Sequence, residues 1–380
     1  MSNNYGFILT FSLLTFTNGY SLQKLGSFPI SFPAFTNFYP NLKATTILDR
    51  YDLLISTFDG IPFSTDSVQI VEGIGNFIHN VSSIKPKVLT NSVTWPNEIS
   101  GVPEPVFNRR LVAIPDGFLV PFKTDGSISI IDISQEPPKG PYKISGSDGW
   151  FYHRVIWKDM DNDGDFDILT CRAKEPIIGI GKDSELLWFE NKNNLNSEWT
   201  SHVLDHGPDI YFRNIRLQTP DGVKDCILTA QFFTKKLAVY WTNAPNNSWT
   251  DTSQIKSRVI DDTIGSVFEV QTEDLNSDGK VELLVTNNGN NGSIFVYEIP
   301  NDFRTKPSIL LSGDDNGRAY LLVPTSASNT DWSYNLTTFL DAGDGTVGEL
   351  TYADVDNDGF NEVFVPSYST NELFVFKFMK

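Results

Sequence analysis

Histidine and cysteine are scarce here, with four His and two Cys among 380 residues. His79, His153, His202 and His206 form no H-x-x-H or H-E-x-x-H pattern, so the usual zinc sites are excluded. Also missing are a G-x-S-x-G elbow, a Walker A loop and a G-x-G-x-x-G turn opening a helix. Basic residues are outnumbered, 29 Lys and Arg against 47 Asp and Glu, for a formal net charge of −18. No run of Lys and Arg forms a basic stripe, which excludes nucleic acid as a partner. Helical patterning is nearly absent, with no long stretch carrying apolar residues at i, i+3, i+4 and i+7.

Long apolar runs are missing too, and no membrane span is expected. Residues Phe7 to Phe16 read FILTFSLLTF, too short to cross a bilayer but the length of a signal-peptide core. Residues 1–20 are therefore assigned as a signal peptide, with cleavage after Gly19 or Ser21, and 21–380 as one domain. The alternative is a buried N-terminal strand, because the preceding MSNNYG carries no Lys or Arg. A secreted, extracellular protein is expected. Sequons at Asn80, Asn246, Asn291 and Asn335 suit that route as glycosylation sites.

What is abundant points to β-structure. The chain holds 28 Phe, 13 Tyr and 8 Trp beside 27 Gly and 21 Pro, the mixture of strand formers and turn residues of an all-β protein. An internal repeat then organises it. Asp159 to Asp167 reads DMDNDGDFD, Asp274 to Glu282 reads DLNSDGKVE, and Asp354 to Glu362 reads DVDNDGFNE; an apolar strand follows each. Taking the ninth loop position as an anchor, weaker copies begin strands at Asp225, Arg110 and Asp52. The anchors 52, 110, 167, 225 and 282 are spaced by 58, 57, 58 and 57 residues, and 80 separate the last of them from 362. Four short strands per repeat describe a propeller blade. The spacing predicts a single all-β propeller of six blades of four strands, closed by strands from both termini. The alternative is seven, with Arg318 to Val323 as the remnant of another blade.

The loop pattern is D-x-[DN]-x-D-G-x-x-[DE]. Oxygens at positions one, three, five and nine converge because a glycine at six (Gly164, Gly279, Gly359) turns the chain sharply. Position seven is Asp165, Lys280 or Phe360, a freedom that fits a backbone-carbonyl ligand. An EF-hand is excluded, since position twelve is Thr170, Val285 or Val365 and the flanks alternate like strands. The expected metal is Ca2+. Its ligands would be Asp159, Asp161, Asp163, Asp165 and Asp167 in the first loop, and Asp274, Asn276, Asp278, Lys280 and Glu282 in the second. In the third they would be Asp354, Asp356, Asp358, Phe360 and Glu362. Unmetallated acidic turns are the bland alternative. Asn276 leaves the second loop one charge short, so it is expected to bind most weakly.

These loops, each followed by an apolar strand, resemble the FG-GAP or VCBS repeats of integrin alpha-subunit propellers and many secreted propellers. The resemblance covers about 50 to 380 and is strong at the three loops. It implies structural calcium and a propeller that works as an interaction surface.

No catalytic site is assigned. The pair His153–Arg154 has a precedent in propeller lyases that remove a proton beside a sugar carboxylate, but an outer-strand or interblade position is expected for it. Most tryptophans, Trp150, Trp157, Trp188 and Trp241 among them, are expected in interblade packing, with a few left at the blade tops as a carbohydrate platform. Cys171 and Cys226 are expected to be free buried thiols on the innermost strands of neighbouring blades, staggered too far to pair. The leading functional expectation is an adhesion or recognition module for an extracellular protein or glycan. A carbohydrate-active lyase using the central funnel, or a structural matrix component, stands against it.

Overall fold

The computed structural model describes residues 21–61, 63–146, 148–175, 182–219, 222–275, 281–288, 293–297, 309–325, 333–358 and 360–379. The signal-peptide assignment at 1–20, the sequon Asn291 and the loop residues Asn276, Asp278, Gly279, Lys280 and Gly359 lie outside them.

Period-two apolar patterning makes strands, and antiparallel hairpins make sheets of them. Blade 1 comprises Pro33–Pro40, Tyr51–Thr57, Ser67–Val71 and Lys87–Thr90. Blade 2 comprises Ser100–Gly101, Leu111–Pro115, Ile128–Asp132 and Lys139–Lys143. Blade 3 runs Phe151–Lys158, Asp167–Lys174, Asp183–Glu190 and Thr200–His206, and blade 4 runs Tyr211–Thr219, Gly222–Gln231, Lys236–Thr242 and Ile255–Asp261. Three strands each are described for blade 5 (Ser266–Glu273, Glu282–Asn288, Ile294–Tyr297) and blade 6 (Ile309–Ser312, Arg318–Pro324, Tyr334–Asp341). Blade 7 takes Thr351–Ala353, Glu362–Ser367 and Glu372–Met379, and its outermost strand is Ser21–Pro29. The chain is a seven-bladed β-propeller. No helix among the described residues is long and apolar enough to cross a membrane.

Closure by strands from both termini is as expected. Ser21–Pro29 pairs antiparallel with Glu372–Met379, so strands from both chain ends complete the last blade and close the ring.

Two expectations are corrected. The blade number is seven, not six. Blade 6 was hidden because its first two strands are joined by a short turn that holds Asp314 and Asp315 but not the nine-residue loop pattern; there Gly313 N donates to Arg318 O. Its third strand, Tyr334–Asp341, pairs with Arg318–Pro324, so the segment named as the remnant of another blade belongs to a blade of its own. The anchors are also not on innermost strands. Each lies at or near the start of the second strand of its blade, because the first strand precedes the anchor loop.

Successive residues of these second strands face opposite neighbours, which is how the core is built. Ile168 packs towards blade 2 with Leu111, Ile130 and Tyr152. Leu169 and Cys171 pack towards blade 4, against Phe212 and Ile227. Cys226 faces the other way, into the cluster that blade 4 shares with Val267, Leu283 and Val285 of blade 5. Both cysteines are free and buried. The body of blade 4 lies between them, a firmer obstacle to pairing than stagger along the strands. Trp188 and Trp249 are fully buried between blades 3 and 4, as expected of interblade tryptophans. Burying each such side chain is worth about 2 kcal/mol.

Candidate functional site

The loops joining first to second strands share one face, here the lower; the connections between blades and the loops joining second to third strands share the upper face. The acidic loops are on the lower face. In all three, the ninth residue folds back to the second: Asp167 accepts from Met160 N (2.9 Å), Glu282 from Leu275 N (2.8 Å) and Glu362 from Val355 N (3.0 Å). This common hydrogen bond ties the loop to its strand.

In the first loop, one oxygen each of Asp159, Asp161 and Asp167 lie within 4.8 Å of one another. Gly164 takes φ +98°, the left-handed conformation that lets the turn close. Asp159 accepts from Asn162 N and Gly164 N, and Asp163 accepts from Asp165 N. Among the described residues no Lys or Arg pairs with Asp167. Burial pushes its carboxyl up to about 7, with Asp161 and Asp165 adding to the shift. Hard oxygen donors with no cation from the chain fit a divalent ion such as calcium. The structure brings three of the five predicted positions together; Asp163 and Asp165 lie in the same loop but outside that trio.

The third loop has the same trio, Asp354, Asp356 and Glu362, with a difference. The Lys377 ammonium sits against Asp356 (3.0 Å), Asp358 (2.8 Å) and Glu362 (2.6 Å). Phe360 offers Asp358 its backbone N–H. The degenerate anchors are likewise neutralised from within the chain. Arg110 pairs with Asp52, and Lys158 with Asp225 at 2.5 Å. Of the sequons, Asn80, Asn246 and Asn335 are exposed.

The upper face differs in kind. Phe58 stacks on Trp95 (4.2 Å), Trp95 on Phe118 (5.2 Å, planes 10° apart), and Phe118 meets Phe151 edge-on. Phe233 continues this arc across blade 4, and Tyr368 of blade 7 extends it behind Phe58. Buried carboxylates hold the arc in place. Asp66 accepts from Trp95 N at 2.7 Å and pairs with Lys123, while Asp209 accepts from the N–H groups of Phe232 and Phe233. Asn97 ties Gly117 O to Tyr152 O through its side-chain amide. Beyond the arc, Phe63 and Phe122 contact each other and are 86% and 69% exposed.

Inside the arc, charged groups from five blades converge. Glu98 and Glu349 precede the first strands of blades 2 and 7; Arg154, Arg213 and Glu269 lie on the first strands of blades 3, 4 and 5. Arg154, Tyr211, Arg213 and Glu269 stand on first strands, the innermost of their blades, which line the central axis. Arg154 Nη2 pairs with Glu98 Oε1 at 3.0 Å, and its guanidinium lies 4.0 Å over the Tyr211 ring. Tyr211 donates to Glu269 (3.0 Å) and receives Gln271 Nε2 (3.2 Å). Arg213 reaches Gln271. Burial pushes Glu98 up despite Arg154. Burial and the neighbouring Glu98 and Glu269 hold Glu349 well above the carboxylate range. Burial alone would lower Arg154, but Glu98, Tyr211 and Glu349 hold it above its ordinary value.

The pair His153–Arg154 is thus not on an outer strand: it stands on the innermost strand of blade 3. Arg154 enters the axial cluster, while His153 packs edge-on against Phe35, where burial and then Arg154 depress it to about 3. Phe35 belongs to blade 1, which does not neighbour blade 3, so the imidazole lies neither on an outer strand nor against an adjacent blade in this contact. Glu98, Tyr211, Arg213, Glu269 and Glu349 were not singled out from sequence. Their one signal was a charged or hydroxylated residue in the strand preceding each anchor, legible only once those strands are known to be innermost.

No family model matches the chain, FG-GAP and VCBS models included, and no curated protein matches it. Among solved structures it is similar to the Dos1 propeller, with 7% identity and a TM-score of 0.46 over 86% of this chain and 74% of that one. It is also similar to a putative gluconolactonase, with 9% identity and a TM-score of 0.45 over 96% of this chain and 94% of that one.

Proposed function

We propose that the protein is a secreted recognition module that binds a glycan at the mouth of its central channel, with calcium stabilising the opposite face through the 159–167 loop. The observation that carries this reading is the aromatic arc of Phe58, Trp95, Phe118 and Tyr368 around a floor of hydrogen-bonding charged groups. Sugars offer C–H faces that stack on aromatic rings and hydroxyls that need buried partners, and few other ligand classes use both. Calcium belongs to the reading as a structural ion of the FG-GAP kind, since its loop lies on the face away from the arc.

The test is a glycan array probed with the full chain in calcium buffer, beside Trp95→Ala. A glycan hit that Trp95→Ala abolishes supports the reading. Failure of the folded, calcium-loaded protein to retain any glycan rejects it.

A second reading is favoured by one observation, the half-buried Glu98 carboxyl paired with the buried Arg154 at 3.0 Å, with Glu349 raised by burial and by Glu98. Such groups suit acid–base work, and the class would be a lyase or other carbohydrate-active enzyme using the same funnel. Turnover of uronic-acid polymers, lost in Glu349→Gln, separates it from binding alone.

A further inference from the structure

We infer that the group seated in the channel mouth is an uncharged vicinal diol, as on a neutral pyranose, and not a carboxylated or sulfated sugar. The inference rests on the glycan reading and deepens it to a ligand class.

The first argument is unmet hydrogen-bonding capacity. Arg154 is 6% exposed, and while Nη2 is held by Glu98 Oε1, its Nε and Nη1 are buried and find no partner. On the same ion pair, Glu98 Oε2 is buried without a partner. Unfilled donors and an unfilled acceptor therefore sit side by side, and leaving such groups unmatched is costly. A hydroxyl both accepts and donates. Two adjacent hydroxyls accept from the guanidinium and donate to the carboxylate. A ligand carboxylate or sulfate satisfies the guanidinium alone and sets its charge against Glu98 Oε2.

The second argument is charge. Arg154 is already paired with Glu98, and Glu269 accepts from Tyr211 beneath it, in a chain whose formal net charge is −18. The crowding is severe enough that neighbouring carboxyls raise Glu349 further. An arriving anion sets its charge against the Glu98 carboxyl, which already partners Arg154, at short range where screening is weak. A neutral diol brings no charge. Tyr211 under the guanidinium at 4.0 Å fixes the plane in which the free N–H groups point, which favours one diol geometry over a general polar surface.

The experiment is calorimetric titration of the full chain, in calcium buffer, with two sets of probes. One set is neutral gluco-, manno-, galacto- and xylo-oligosaccharides; the other is oligogalacturonate and a sulfated oligosaccharide. At least one neutral probe is expected to bind, and the acidic set to bind at least about tenfold more weakly, a difference of roughly 1.4 kcal/mol. Glu98→Gln is expected to weaken the neutral probe by about tenfold or more, as loss of a charged hydrogen-bond partner does. Acidic probes binding as tightly as neutral ones overturn the diol inference and leave glycan recognition standing. No binding by either set overturns both. Should a variant fail to fold by circular dichroism, the wild-type comparison of the two sets decides alone.

Discussion

Lys377 donates to Glu362 across a hairpin pair, with Nζ 2.6 Å from Oε1 and the two residues directly opposite in register. In blade 3 the corresponding position is Glu190, the residue after Phe189, which pairs with Ile168. One acidic loop therefore receives an ammonium from its own third strand, while its sister receives another acid. Lys377→Gln is expected to cost about 3–5 kcal/mol, as breaking a buried pair from one side does, because Glu362 is left buried without its counter-charge. Calcium is expected to restore part of that loss. Urea denaturation of the variant with and without calcium measures both; a variant no more calcium-responsive than wild type contradicts the competition between ammonium and ion.

Calcium is expected to stabilise the wild-type protein through the 159–167 loop. An ion bound by the folded state alone contributes about 2.7 kcal/mol at a hundredfold excess over its dissociation constant. Asp161→Asn, which removes one carboxylate of the converging trio, is expected to shift the calcium titration of the melting temperature to higher concentration. Magnesium is expected to substitute poorly, because it demands a tighter octahedron. An unchanged melting temperature on adding excess chelator to the calcium-loaded protein rules out structural calcium.

Stability is expected to depend on pH through Asp116, away from any metal loop. Burial pushes its carboxyl from 3.8 up to about 7, against the opposing hydrogen bonds from Ser127. A carboxyl raised on folding contributes stability that is fully present below pH 3.8 and lost as pH rises through 7. Asp116→Asn, which cannot ionise, is expected to gain on wild type between pH 4.5 and pH 8. Denaturation free energies of the two proteins at both pH values test the sign, and parallel behaviour rejects it.

Cys171 and Cys226 are expected to be alkylated separately after denaturation without reductant, since they face opposite sides of blade 4. Burial pushes the Cys171 thiol well above its ordinary range, so native labelling is expected to be slow. A Cys171–Cys226 linked peptide in the mass spectrum would overturn the facing of these strands.

The sequence alone determined the strand content, the repeat, the oxygen-rich loops and closure by both termini. Each is a local matter: alternation along a strand, a glycine inside an aspartate turn, a short apolar run left at either end. Asp159, Asp161 and Asp167 were legible because metal-loop geometry is written in consecutive residues. The tertiary structure decided the rest. Blade 6 carries no such loop, so only the pairing of Arg318–Pro324 with strands on both sides reveals it. Lys377 reaches Glu362 through hairpin register, which no spacing of acidic residues encodes. Glu98, Arg154, Tyr211, Glu269 and Glu349 come from separate blades, and ring closure alone sets them around one axis. Their chemistry depends on desolvation and on one another's charge, and both exist only once the ring is shut.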